Sequence, residues 1–77
     1  MRYEYDKANA AAYVHLKTGK VARTEALDDR RLVDYDSRGE AIGVELIGVR
    51  DGVDTDDLPN QEALGKFLSK HKVEVYA

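Results

Sequence analysis

The chain has 77 residues, no cysteine and a formal charge of −3, which bounds it to one small domain near the lower size limit for folding alone. No disulfide or thiolate metal centre is possible, and the acidic balance argues against nucleic acid or an anionic membrane as the main partner. No apolar run approaches the roughly 18 residues of a membrane span and no signal-peptide pattern opens the chain, so a cytoplasmic protein is the expectation.

In chain order, Arg2-Tyr3-Glu4-Tyr5 alternates and reads as a first strand. Asp6 follows as a plausible cap for the short Ala/Asn-rich turn of Lys7 to Ala11, because its carboxylate can accept from the next exposed N–H groups. Ala12 to Leu16 alternates as a second strand, Thr18-Gly19 reads as a short hairpin turn, and Val21 to Leu27 as a third strand ended by Asp28-Asp29.

The stretch from Arg31 to Leu46 carries the strongest signal, two strands about the turn Asp36-Ser37-Arg38-Gly39. Asp36 supplies carboxylate oxygens to backbone N–H groups, and Gly39 takes positive φ without steric cost. A three-residue loop of this kind sets Asp36 opposite Glu40 and Tyr35 opposite Ala41. With a regular ladder, Asp34 then faces Ile42, Val33 faces Gly43, Leu32 faces Val44 and Arg31 faces Glu45 as an opposite-charge pair. Leu32, Ile42, Val44 and Leu46 share one face. Val33, Tyr35, Ala41, Gly43 and Ile47 share the other. Both faces are partly apolar, so the hairpin is expected to be central and at least partly covered on both sides. Asp36, Gly39 and Gly43 are taken as the structural turn residues.

Beyond Leu46 comes an acidic loop, Gly48 to Asp57, and then Pro59, which suits the first turn of a helix. From Asn60 to His71 the apolar residues Ala63, Leu64, Phe67 and Leu68 fall at helical spacing. Gly65 weakens that helix by roughly 0.5–1 kcal/mol relative to alanine, so it depends on docking against the sheet. Lys72 to Tyr76 alternates as a last short strand. The expected fold is α+β, an antiparallel meander of about five strands with the C-terminal helix on one face. It spans residues 1–77 as one domain, with the meander in 1–48 and the loop, helix and short strand in 49–77.

The order Tyr5-Asp6, the Ala/Asn-rich turn, Tyr13-Val14, Lys20-Val21-Ala22 and then Val33-Asp34-Tyr35-Asp36-x-x-Gly39-x-x-x-Gly43-Val44-Glu45-Leu46 resembles the domain of unknown function 2283 family, small bacterial and archaeal proteins. The resemblance covers residues 3 to 48. It departs at Asp6-Lys7-Ala8-Asn9-Ala10, where the family often has a proline and a second acidic residue. The resemblance implies a small β-rich domain with no assigned activity. Members lie beside genes for small toxin-like proteins, which implies an antitoxin-like module that binds a small basic toxin.

Among candidate sites, Asp34, Asp36 and Glu45 come close to the spacing of a calcium loop. The motif needs flanking helices, its fifth position holds the cation Arg38, and in the hairpin register above Asp34 and Glu45 point to opposite faces. Asp51, Asp54, Asp56 and Asp57 read as turn and helix-start chemistry in preference to a cation site. His15 and His71 have no nucleophile motif beside them, and Ser37 and Ser69 have turn and helix roles, so no catalytic triad is expected. Lys17, Lys20, Arg23, Arg30 and Arg31 read as a solvated mixed surface. Tyr3, Tyr5, Tyr13 and Tyr35 are the candidate interface residues, given the enrichment of tyrosine where proteins meet. The expectation is a non-enzymatic interaction domain that forms a homodimer and needs no cofactor, metal or nucleic acid. A small basic protein is the second candidate partner. A metal-dependent or acid/base hydrolase using Asp34, Asp36 and Glu45 comes last.

Overall fold

The computed structural model describes residues 1–76; Ala77, the last residue of the expected domain, lies outside them. Five antiparallel strands, β1 (Arg2–Asp6), β2 (Ala11–His15), β3 (Arg23–Ala26), β4 (Arg31–Tyr35) and β5 (Ala41–Ile47), form one sheet in the order β1-β2-β5-β4-β3. A 3-10 turn (Val49–Asp51), a two-residue strand β6 (Val53–Asp54), helix α1 (Gln61–Lys70) and a second two-residue strand β7 (Val75–Tyr76) complete the chain. This is the α+β fold expected, with the helix on one face. Two connections differ in detail. Thr18-Gly19 does not close a hairpin: the chain runs on to the far edge of the sheet as β3 and returns through β4 to β5, which pairs with β2. The terminal strand pairs in parallel with β6, apart from the main sheet.

Local chemistry explains most of these elements. At the first turn Asp6 Oδ1 accepts from the Asn9 N–H at 3.3 Å and Oδ2 from the Asn9 side-chain amide at 2.7 Å. At the β4–β5 hairpin the Asp36 N–H donates to the Glu40 carbonyl, and Asp36 Oδ1 accepts from the N–H groups of Arg38 and Glu40 at 2.9 Å each. Gly39 sits at φ 82°, as the turn requires. Helix α1 begins at Gln61, two residues after Pro59, so the proline lies in the preceding turn instead of the first helical one. At its other end Lys72 takes φ 63° and the N–H groups of Lys72 and Val73 return to the carbonyls of Ser69 and Leu68, both at 3.0 Å. That double bond closes the last helical turn and brings Val73 against Leu68, two buried residues.

The ladder between β4 and β5 is the main correction. Tyr35 pairs with Ala41 as expected, but the next pair is Asp34 with Gly43, because Ile42 is bulged out of the count. Val33 therefore pairs with Val44, Leu32 with Glu45 and Arg31 with Leu46. The extra residue moves everything on β4 beyond it to the opposite partner set. Val33 joins Val44, Leu46, Ala12 and Val14 under the helix, and Leu32 is turned to the other face. The expected Arg31–Glu45 pair does not form. Arg31 instead reaches the carboxylate of Asp28 at 2.9 Å and the backbone carbonyls of Asp54 and Asp56 at 3.0 and 2.7 Å. It is half-buried, a strap between sheet and loop, and no part of a solvated surface.

One hydrophobic cluster joins the sheet residues Ala12, Val14, Val33, Val44 and Leu46 to Leu64 and Leu68 of α1 and to Val49, Val53, Leu58 and Val73. Burying a side chain of this size contributes roughly 1.5–3 kcal/mol, so the helix is held by its docking. Among the described residues no second helix or sheet lies over the other face, so the partial cover expected on both sides comes from a packed layer on one side only. Among the described residues no helix is long and apolar enough to cross a membrane.

Candidate functional site

The uncovered face is where the chemistry-bearing side chains collect. Alternate residues of each strand point to it: Arg2, Glu4 and Asp6 from β1, Ala11, Tyr13 and His15 from β2, Gly43, Glu45 and Ile47 from β5, Leu32 and Asp34 from β4, Thr24 and Ala26 from β3. Two cross-strand rows run over it, Arg2·His15·Gly43·Asp34·Thr24 and Glu4·Tyr13·Glu45·Leu32·Ala26.

Gly43 is the gap in the first row. Tyr13 lies diagonally across it and donates its hydroxyl to Asp34 Oδ2 at 2.6 Å. A Cβ on residue 43 would overlap the Tyr13 hydroxyl and Cζ, so only glycine leaves room for this bond. Gly43 is thus a strand residue that a ring crosses, and no part of the turn. The Thr24 hydroxyl donates to the other oxygen of Asp34. Burial, then the bond to Asp34, pushes the Tyr13 hydroxyl well above its ordinary range, so it stays a donor at every physiological pH.

Toward β1, His15 Nε2 pairs with Glu4 Oε2. That nitrogen carries the proton, since a carboxylate only accepts. Arg2 Nη2, 3.2 Å from the same nitrogen, therefore adds positive charge beside Glu4 and does not donate to the ring. The His15 bond, ahead of the nearby charges, holds the Glu4 carboxyl below its usual range. The His15 and Tyr13 rings meet edge-on with centroids 4.6 Å apart.

Asp34 and Glu45 share this face, which corrects the expectation that they point apart; the bulge at Ile42 is the reason. They still form no acid/base pair with Asp36. Asp36 is at the hairpin end with Oδ1 engaged by its own turn, and Asp34 is held by Tyr13 and Thr24. Among the described residues no group of three or more His, Asp or Glu side chains is placed to hold a metal ion. In the acidic loop Asp51 accepts from Arg30 Nη1 at 3.3 Å and Asp54 from the Asp56 N–H at 2.9 Å. None of these caps α1, whose cap residue Asn60 makes no side-chain bond. A groove of about 880 Å³ beside α1 and Val75 holds Glu62 and Lys66, an exposed ion pair at 3.5 Å, and no second carboxylate among its lining residues.

The four tyrosines do not gather. Tyr3 and Tyr5 stack on the helix side, 6.4 Å apart with rings 7° from parallel, and Tyr3 stacks on His71 at 4.6 Å. Tyr35 lies on the helix-side face too, packed against the core cluster toward the opposite edge of the sheet, beneath the Arg23 guanidinium 4.5 Å away. Tyr13 is on the uncovered face. Sequence reasoning missed the Tyr13–Asp34–Thr24 and Glu4–His15 partnerships. A glycine inside a strand with an aromatic on its neighbour is the one local hint of the first; the second needs the pairing of β1 with β2.

Set beside known proteins, the chain matches the model of the family described as "Protein of unknown function (DUF2283)" over residues 2–50, which takes in β1 to β5 and leaves β6, α1 and β7 outside. No curated protein and no solved structure matches it.

Proposed function

The chain belongs to the DUF2283 family, and on that premise we propose that it is a non-enzymatic protein-interaction domain that self-associates. The observation that carries this reading is the sheet with one face under α1 and the other bare, its two outer strands unpaired along their free edges. On the bare face Glu4 binds His15 and Asp34 binds Tyr13 and Thr24 in the plane of the sheet instead of around a cavity, which suits a contact surface better than hydrolysis by Asp34, Asp36 and Glu45. Light scattering coupled to size exclusion tests it: a dimer is expected at high micromolar concentration, and a clean monomer overturns self-association.

An antitoxin-like module for a small basic protein is the second reading. It is favoured by the charge of the bare face, where Glu4, Asp6, Asp34 and Glu45 outnumber Arg2. Co-purification with the product of the adjacent gene supports it, and failure to bind that product removes it.

A further inference from the structure

Two edges are open to a second chain, and they are not equivalent. β3 is four residues long, and its charges are satisfied within the chain: Arg23 binds Glu25 at 2.8 Å while its guanidinium lies over Tyr35. β1 is five residues, Arg2-Tyr3-Glu4-Tyr5-Asp6, with four of the five exposed and no proline, lysine or bulge to blunt it. Its sequence is self-complementary when read against itself in the antiparallel sense. With Glu4 opposite Glu4 of a second copy, Arg2 falls opposite Asp6 at both ends, and Tyr3 falls opposite Tyr5 twice.

The faces agree with that register. Arg2, Glu4 and Asp6 share the bare face, so both ion pairs form there. Tyr3 and Tyr5 share the helix side, where they are already stacked parallel and Tyr5 is 44% exposed, so the two copies extend one row of rings across the junction. Neither charge is exhausted within the chain. Among the described residues the five donors of Arg2 have no hydrogen-bond acceptor, its guanidinium lying only beside His15 and Glu4, and Asp6 binds groups of its own turn through two oxygens that accept about four bonds. The cost falls at the axis, where the two Glu4 carboxylates meet, each beside its own His15 and Arg2.

We infer that two copies of this chain join edge to edge through β1, antiparallel about Glu4, with reciprocal Arg2–Asp6 pairs and a shared Tyr3/Tyr5 row, making one continuous sheet. The inference rests on the self-association proposed above and names its surface and register.

A charge-swap experiment tests it. Arg2→Asp sets carboxylate against carboxylate at both ends and Asp6→Arg sets guanidinium against guanidinium, so each variant alone should dissociate about tenfold more readily than the unaltered chain. An equimolar mixture of the two restores opposite charges at both ends and should dimerise again. Because Asp6→Arg also loses the bonds to Asn9, circular dichroism checks its fold, and a second variant gives an independent readout. Glu4→Cys puts a single cysteine on the axis of a chain that has none, and under a mild oxidant it should cross-link as a disulfide dimer while Ala26→Cys on β3 does not. A dimeric unaltered chain whose association ignores Arg2→Asp, or equal cross-linking at both edges, overturns the β1 junction and leaves self-association standing. A monomeric unaltered chain overturns both.

Discussion

Under α1, Val14, Val33 and Val44 have no exposed surface and Leu46 has 1%; on the other side of the same strands, Glu4, Tyr13, His15, Asp34 and Thr24 keep contact with water and with one another. The first set is held by close packing, which is indifferent to direction and intolerant of lost volume. The second is held by directed bonds between partners on different strands, which need each strand to be at one register. The difference teaches that the two faces fail in different ways: one by cavities, the other by a shift of the ladder or a change of protonation.

The largest expected effect breaks the covered face. Leu68→Ala removes a fully buried side chain from the cluster that joins α1 to the sheet and to Val73, and should cost about 2–5 kcal/mol. In a chain this small that is most of the total stability, so thermal or urea unfolding should show a barely folded protein. Gly43→Ala breaks the bare face sterically. The new methyl must expel the Tyr13 ring, with a loss of about 1–3 kcal/mol and of the Tyr13–Asp34 bond, measurable as a sharp rise in tyrosine exposure by absorbance.

Tyr13→Phe is milder: the ring stays and only the bond to Asp34 goes, at about 1 kcal/mol. Its pH profile sharpens the point. The Tyr13 hydroxyl is raised above its unfolded value, so its contribution is complete below about pH 10 and is lost as pH rises beyond it. The Tm gap between Tyr13→Phe and the unaltered chain should therefore close in alkali. Asp36→Ala gives the opposite sign. The Asp36 carboxyl is lowered by the Glu40 and Arg38 N–H groups, so what it contributes is present above about pH 4 and is lost as pH falls through its folded value. A small Tm deficit at neutral pH that vanishes in acid is the expected result. A deficit that persists at low pH would show that the turn depends on something other than that carboxylate.

Much of the sheet was legible because its signals are local. Asp36 and Gly39 specify a three-residue turn from four consecutive residues, and Tyr35–Ala41 follows from that turn alone. The spacing of Leu64, Phe67 and Leu68 gives the helix, and the alternation of β1 and β2 gives two strands. The bulge at Ile42 had no such signal. Moving one residue out of the ladder trades Leu32 for Val33 beneath α1, and both are apolar, so the pattern of β4 reads equally well in either register. The candidate site inherits that ambiguity, because whether Asp34 and Glu45 share a face depends on it.

Sequence alone therefore settled the five sheet strands, the helix, the main turn and the α+β class, since each rests on interactions among residues a few positions apart, and left the 3-10 turn and β6 unread inside the acidic loop. The tertiary structure decided the pairing of β2 with β5, the register past Ile42, the reach of Arg31 to the loop carbonyls and the face left bare. Those choices follow from which side chains fit together beneath one helix, and packing among residues distant in the chain leaves no periodic trace in any single stretch of it.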